Sequence, residues 1–374
     1  MVNIKADVAV IGAGVVGCAI ARRHLMVHPR DRVIVLEKLA DAGLETSGLN
    51  SGVLHSGLHQ KPGWLKSHLV RRGSTLAVEY AERHGIPVKK TGMIVAVPEH
   101  PLRRGLWREM GGLLSLLRRA QHQRVGLRFL TRSALKKLEP NMAAAGGIFV
   151  PNVWVVEPRE FVVALHEDAR SRGAEFLFGN PVLSIERDVC MYRLYTPEHT
   201  IEARAVVNAA GLYADDIAAM AGFGGYAIYP WRGEYYEIVG GKSASGDHLI
   251  YPAMPKKSPS KGIHFGPRLD GRLFIGPNAR PVPSKNWYSE DPTPKEVFLE
   301  AARMFFPSLE ADDLMWVQAG IRPKLTPGAE ESDFIIRPDR IFPLFINCIG
   351  IESPGFASSM AIAEYIGPWL AAHA

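Results

Sequence analysis

The 374-residue chain is 47% hydrophobic and 22% charged with a formal net charge of +6, a globular composition long enough for two cores. Its three cysteines, Cys18, Cys190 and Cys348, lie far apart in no metal-ligand pattern, which argues against a disulfide framework or a zinc site and fits a reducing compartment. No apolar run reaches the roughly 18 to 20 residues of a spanning helix, and neither a zinc-finger spacing nor a basic tail points to nucleic acid, so the cytoplasm is expected, with peripheral contact at the inner face of a membrane left open.

Asp7 to Ile11 reads as a buried parallel strand that runs into Gly12-Ala13-Gly14-Val15-Val16-Gly17 and then a helix from Cys18 to about Val27. In this dinucleotide-binding turn Gly12 permits the tight bend and Gly14 lets a pyrophosphate reach the N–H groups at the helix N-terminus, beside Val15 and Val16. Gly17 allows close helix-to-strand packing. The fingerprint also accounts for the apolar stretch Val8 to Ile20 better than a signal peptide does. A second strand, Arg32 to Leu36, ends at Glu37, whose carboxylate suits an adenosine ribose and repels a 2′-phosphate.

A nicotinamide enzyme would continue with a helix and another parallel strand. Here Glu45 to Asn50 is instead a polar, glycine-punctuated loop, which suits an extended FAD. Thr46, Ser47 and Ser51 are candidate donors, with turn formation or helix capping as their structural alternative. The stretch from Asn50 to His59 is the expected centre of the chemistry: Gly52 and Gly57 let backbone approach a ligand, and His55 and His59 can hold or move a proton.

Lys66 to His84, closed by Gly85, patterns as an amphipathic helix, and Val88 to Val97 as a strand. Leu106, Trp107, Met110, Leu113, Leu114 and Leu117 recur at helical spacing among Arg103, Arg104, Arg108, Arg118 and Arg119. Such a stripe packs on its own domain or rests on an anionic membrane, and the first reading is preferred. Arg159 to Arg172 reads as a helix, followed by strands at 174–178, 181–186, 191–196 and 200–208. Asn208-Ala209-Ala210-Gly211 then offers small side chains for a second close approach to the cofactor, or simply for tight packing.

From Tyr229 the pattern changes to alternating polar and apolar residues rich in aromatics. Tyr229 to Ile238, Gly262 to Arg268 and Arg272 to Pro277 read as antiparallel strands of a second domain roofing the cofactor. Arg232, Tyr235, Tyr236, His264 and Arg268 are candidates for a polar substrate, although alternation along a strand makes about half of them bystanders. A helix is expected at 294–306. Arg322, in Gly320-Ile-Arg-Pro323, offers a permanently charged fork that matches a carboxylate. Leu344 to Gly350 reads as a buried strand, and a closing helix runs to Tyr365 with Ser353 as N-cap and Pro354 as first helical residue.

These motifs carry a family likeness. The N-terminal fingerprint, Asn208-Ala-Ala-Gly211, Gly320-Ile-Arg-Pro323 and the C-terminal glycine turn resemble the D-amino-acid oxidase-like FAD oxidoreductases, which include glycerol-3-phosphate dehydrogenase and sarcosine oxidase. Leu49 to His59, Arg232-Gly-Glu-Tyr-Tyr236, His264-Phe265, Pro267-Arg268 and Gly276-Pro-Asn-Ala279 are most similar to the L-2-hydroxyglutarate dehydrogenase/oxidase branch. Val153-Trp-Val-Val-Glu157 departs from that branch, where a Thr-Gly-Ile-Val-Asp-like segment is usual.

The resemblance implies an α/β, two-domain architecture: a Rossmann-like FAD-binding domain from 1–87, 146–222 and 320–374, and an inserted substrate domain on an antiparallel sheet from 88–145 and 223–319. It adds Lys38, Asn50, Val53, Val182, Gly350, Gly355 and Phe356 to the cofactor set. It also implies that Arg322 holds a substrate carboxylate, and His264, Arg232 or Tyr235 is then expected to meet the distal end of a dicarboxylate. The expected reaction is hydride transfer from C2 of a 2-hydroxy acid to flavin N5, with His59 as first choice of base, His55 as second, and a quinone or oxygen as acceptor. Oxidation of an amino acid, a secondary amine or glycerol 3-phosphate is the alternative within enzymes. A flavin-binding electron-transfer subunit without catalysis is the alternative outside them.

Overall fold

A computed structural model describes residues 2–99, 106–239, 246–254 and 262–373. Its first sheet is built around strand Val2–Ile11, which pairs in parallel with Val33–Leu36 on one side and His199–Asn208 on the other. Leu344–Ile349 and Glu175–Leu177 extend the parallel run, and Tyr192–Tyr195 and Ser184–Arg187 add an antiparallel edge. Period-two alternation gives each face its own core. Val8, Val10, Val33, Val35 and Val207 pack under helices Val15–Val27, Pro158–Ser171 and Gly355–Ala371, whereas Ala9, Ile11, Ile34, Leu36 and Val206 face Leu194, Ile217 and Phe345.

The second sheet is organised by strand Tyr229–Ile238, paired antiparallel along its length with Leu314–Lys324 and in part with Leu273–Gly276. His264–Pro267, Leu249–Pro252, Met93–Pro98, Ala144–Val150 and Arg128–Thr131 complete it. One face buries Tyr236, Phe265 and Ile275 against Phe298, Phe305 and Phe306. The other carries Tyr235, Tyr251 and Phe274, with Leu113, Leu116 and Leu117 of helix Leu106–His122 packed beside them. A small sheet of Val53–Leu54, Trp154–Val156 and Val88–Lys90 lies between.

Several expectations are corrected here. Boundaries drawn at 146 and 320 cut through Ala144–Val150 and Leu314–Lys324, both strands of the second sheet. The strand expected over 88–97 is two strands in different sheets, because Gly92 turns the chain with φ +61° where a Cβ would strike the Phe149 ring at 2.6 Å. The first helix begins at Val15 rather than Cys18, since Gly14 supplies the extended cap conformation. The last helix begins at Gly355 with Pro354, not Ser353, at the cap position, and runs on to Ala371.

The basic helix packs on its own domain along Leu113, Leu116 and Leu117. Arg103 and Arg104 lie outside the described residues, as do the side chains of Leu106, Trp107, Arg108 and Met110. Trp154 stands opposite Leu54 and packs against the first core, with the Lys90 ammonium 5.3 Å from its ring centre. Among the described residues, no helix is long and apolar enough to cross a membrane.

Candidate active site

A cavity of about 620 Å³ runs from Glu37 and Asn180 at the end of the first sheet to Arg322 and His264 under the second. Its first half is shaped by glycines. Gly12, at φ +104°, brings the end of one strand so close to the next that a Cβ would lie 2.6 Å from the Ala209 carbonyl oxygen. A Cβ on Gly14 would meet Ser47 Oγ at 2.9 Å, filling the cleft where backbone faces the cavity. Gly17 packs instead of lining: its Cβ would fall 1.9 Å from the Gly12 carbonyl oxygen.

The carboxylate of Glu37 accepts the N–H groups of Ala13 at 2.8 Å and Leu39 at 3.0 Å. Burial raises its pKa, opposed by these two bonds. Lys38 pairs with Glu45 at 2.8 Å and sits 3.7 Å from the centre of the Tyr213 ring; burial disfavours its charge, but Glu45 and Tyr213 together raise its pKa. Ser47 Oγ accepts the Val15 N–H at 3.0 Å, so a side chain thirty-two residues away satisfies a donor of the helix's first turn. Thr46 Oγ1 donates to the Ile321 carbonyl at 2.7 Å and ties this loop to the second sheet. Asn50 braces the loop by donating to the Thr46 and Ser47 carbonyls and accepting from Gly52 N.

Val15, Val16, Ser51, Val53, Val182, Ala209, Ala210, Gly211, Ser353, Pro354, Gly355 and Phe356 also border the cavity. Gly52 and Gly350 do not. A Cβ on Gly52 would lie 1.9 Å from the Val156 carbonyl oxygen, and one on Gly350 would lie 2.4 Å from Leu325 Cγ, so both serve packing.

At the far end the cavity is lined by His55, His59, Tyr235, Tyr251, His264 and Arg322. The His264 ring stacks on Tyr251 at 4.0 Å, with Nε2 3.1 Å from the phenol oxygen, and the His59 ring is tilted over the same tyrosine at 5.4 Å. Burial pushes the Tyr251 and Tyr235 phenols up, so both remain protonated donors; at Tyr235 the Arg322 charge and a bond to Ser51 work the other way. Arg322 donates through Nη2 to the Asn278 carbonyl at 3.2 Å. It fits because Gly233, across the strand pair, lacks a Cβ that would stand 2.7 Å from that nitrogen.

The histidine loop is held through its main chain. Ser74 Oγ donates to the His55 carbonyl at 2.7 Å, Arg119 Nη1 donates to the His59 carbonyl, and Gln123 Nε2 donates to that of Gln60 at 2.7 Å.

Arg232 does not join this group, and its expected place on the substrate is corrected. It shares the opposite face of its strand with Glu234 and Tyr236, is fully buried, and donates to the carbonyls of Trp287, Tyr288, Glu290 and Asp291 while pairing with Glu234 at 3.3 Å. Tyr236 donates to the Thr293 carbonyl on that side, and Arg268 pairs with Glu237 at 2.9 Å. Sequence reasoning missed Tyr251, Asn278, Gln60, Arg119, Lys66 and Lys324, all of which line the cavity. Lys324 carried a signal, since it follows Arg322 by two residues on a strand, and Asn278 carried another, since it stands in the motif Gly276-Pro-Asn-Ala279.

A parallel sheet ending on a glycine turn, opening into a cavity roofed by a second sheet, defines a dinucleotide-dependent oxidoreductase. The model of the family "DAO: FAD dependent oxidoreductase" matches residues 7–369, and the chain belongs to that family; its cofactor is FAD. The residues present fit that cofactor, because the glycine turn at Gly12 and Gly14, the Glu37 carboxylate and the polar side chains of Lys38, Thr46 and Ser47 all border the cavity. Glycerol 3-phosphate dehydrogenase of Caloramator mitchellensis is 32% identical over 96% of this chain and 72% of its own length. The human mitochondrial L-2-hydroxyglutarate dehydrogenase is 30% identical over 96% and 87%. That of Indibacter alkaliphilus is 29% identical over 97% and 98%. In fold, the FAD-bound L-alpha-glycerophosphate oxidase of Mycoplasma pneumoniae superposes with a TM-score of 0.88 at 24% identity, covering 98% of this chain and 95% of that one.

Proposed function

We propose that this flavoenzyme oxidises a small 2-hydroxy acid, with L-2-hydroxyglutarate giving 2-oxoglutarate as the preferred pair. The observation that supports the reading is one cavity lined by the Arg322 guanidinium and by His55 and His59, with the His59 ring against Tyr251, whose phenol also feels the Arg322 charge. Arg322 holds the carboxylate beside the reacting carbon as a forked cation. His59 takes the hydroxyl proton, with His55 as the alternative base, because an imidazole titrates near neutral pH. Tyr235 and His264, kept in place by Tyr251, orient the remainder of the substrate. FAD supplies the acceptor for the hydride that leaves C2.

Relatives called L-2-hydroxyglutarate dehydrogenase at about 30% identity support this choice. Glycerol 3-phosphate is the second reading, favoured by a relative of that name at 32% identity and by the additional cations of the cavity. A panel of L-2-hydroxyglutarate, L-lactate, proline, sarcosine and glycerol 3-phosphate, added anaerobically while flavin absorbance is followed, tests both. Bleaching by L-2-hydroxyglutarate well ahead of the others is expected, and bleaching by glycerol 3-phosphate alone would replace the first reading with the second.

The electrons pass on to a quinone or to oxygen, from a cytoplasmic enzyme that touches the membrane peripherally if the acceptor is a quinone. Co-sedimentation with anionic vesicles at low salt and release at high salt would support the quinone. Turnover with oxygen alone would remove the need for it.

A further inference from the structure

Arg322 is not the only cation on its strand face. Lys324 follows two residues later on strand Leu314–Lys324, so both side chains leave the same face, roughly 7 Å apart. Across the strand pair, Arg322 stands opposite Trp231 and leans over Gly233, while the Lys324 ammonium lies 4.1 Å from the centre of the Trp231 ring. Both line the cavity.

Lys324 is only 6% exposed, a costly place for an ammonium unless an anion accompanies it. Its bond is to the Gly328 carbonyl at 2.9 Å, and among the described residues no carboxylate lies within ion-pair distance of it. The nearby Glu352 pairs with the buried Lys66 at 3.7 Å. Burial pushes the Lys324 pKa down; Glu352 and Glu330 oppose this, and Arg322 and Lys66 add to it. This end of the cavity therefore holds three cations, Arg322, Lys324 and Lys66, on a facing carboxylate, Glu352, with Glu331 also at the rim.

We propose that Lys324 is a specificity-determining residue that receives the distal anionic group of the substrate, one strand repeat from the carboxylate held by Arg322. This rests on the reading of Arg322 given above and extends it: the substrate is a dianion whose second charge is a carboxylate or a phosphoryl group. Lys66 contributes to the local field but is engaged by Glu352.

The test is binding, followed by perturbation of the flavin spectrum in the FAD-loaded protein, with glutarate, butyrate and 3-phosphonopropionate as probes. The wild type is expected to bind glutarate at least about tenfold more tightly than butyrate. K324M should bring the two within about twofold by weakening glutarate alone, and K324R should restore part of the preference. Stronger binding of 3-phosphonopropionate than glutarate in the wild type, lost in K324M, would support the site with a phosphoryl occupant. Equal weakening of glutarate and butyrate in K324M, or an unchanged ratio with a shifted flavin potential, would overturn the assignment. Because these titrations need no turnover, failure of every acid to bleach the flavin would defeat the proposed reaction separately. If K324M does not retain FAD, K324Q is measured in its place.

Discussion

Tyr251 and His264 form a stacked pair whose hydrogen bond, 3.1 Å from phenol oxygen to Nε2, is wholly inside the protein. The two residues come from neighbouring antiparallel strands, Leu249–Pro252 and His264–Pro267, so the sheet itself sets their spacing. Y251F keeps the ring and deletes the bond. A buried bond of this kind contributes about 1 kcal/mol. The expected outcome is a melting temperature lower by a few degrees, unchanged FAD content, and kcat/KM down by about fivefold to tenfold as His264 loses its fixed orientation. Stopped-flow flavin reduction and thermal unfolding of the same preparation measure both, and unchanged kcat/KM would remove His264 from substrate contact.

Gly17 and Gly367 both lie in helices, but their surroundings are opposite. A Cβ at Gly17 would stand 1.9 Å from the Gly12 carbonyl oxygen, a backbone atom that cannot move without opening the cofactor turn, whereas a Cβ at Gly367 meets nothing within 4 Å. G17A is therefore expected to lose most of its FAD, read as the ratio of flavin to protein absorbance, and to cost about 1–3 kcal/mol or more in stability. G367A should leave FAD bound and change stability little, because the helix preference of about 1 kcal/mol for alanine over glycine is offset by Pro368, whose ring crowds a Cβ on the residue before it.

Asp168 supplies a pH-dependent contact between two helices of the fold. Its carboxylate is shared by Arg22 and Arg172, with His84 3.8 Å away, and so clamps helix Val15–Val27 to helix Pro158–Ser171. Burial alone would raise its pKa, but Arg22 and Arg172 outweigh that and hold it below the ordinary 3.8. A depressed carboxylate pKa stabilises the folded state above the unfolded value, and that stability is lost as pH falls through the folded one. D168N should therefore unfold at a lower temperature than the wild type at pH 7. The gap should narrow as pH drops below 3.8; a gap independent of pH down to 2 would contradict the clamp.

How far the sequence disclosed this arrangement depended on whether the constraint was local. Gly12, Gly14 and Gly17 stand in a turn whose spacing is dictated by one strand and one helix, so their places followed from neighbours in the chain. Arg232 failed for a different reason: alternation marks two faces on Tyr229–Ile238 but not which one meets the cavity, and that parity is set by pairing with Leu314–Lys324. Tyr251 and Lys66 had no motif at all. The strand of Tyr251 is short and pairs in parallel with Met93–Pro98, a contact 156 residues distant in register. Strands Ala144–Val150 and Leu314–Lys324 likewise joined the second sheet through pairings that no local pattern announces.

The two histidines of the loop can be separated by experiment because the loop is not held by their rings alone. Ser74 and Arg119 grip the carbonyls of His55 and His59, and these bonds survive truncation of either imidazole. H59A and H55A should thus retain FAD and the wild-type flavin spectrum. If His59 takes the substrate proton, H59A should slow anaerobic flavin reduction by about 100-fold to 10,000-fold, the ordinary worth of a positioned base. H55A should slow it less, and added imidazole should recover part of the H59A loss. Rescue of H59A by added imidazole, with no such rescue in H55A, marks His59 as the group that takes the proton. A reduction rate in H59A equal to that of the wild type would instead move the role to His55, where the same imidazole rescue decides it.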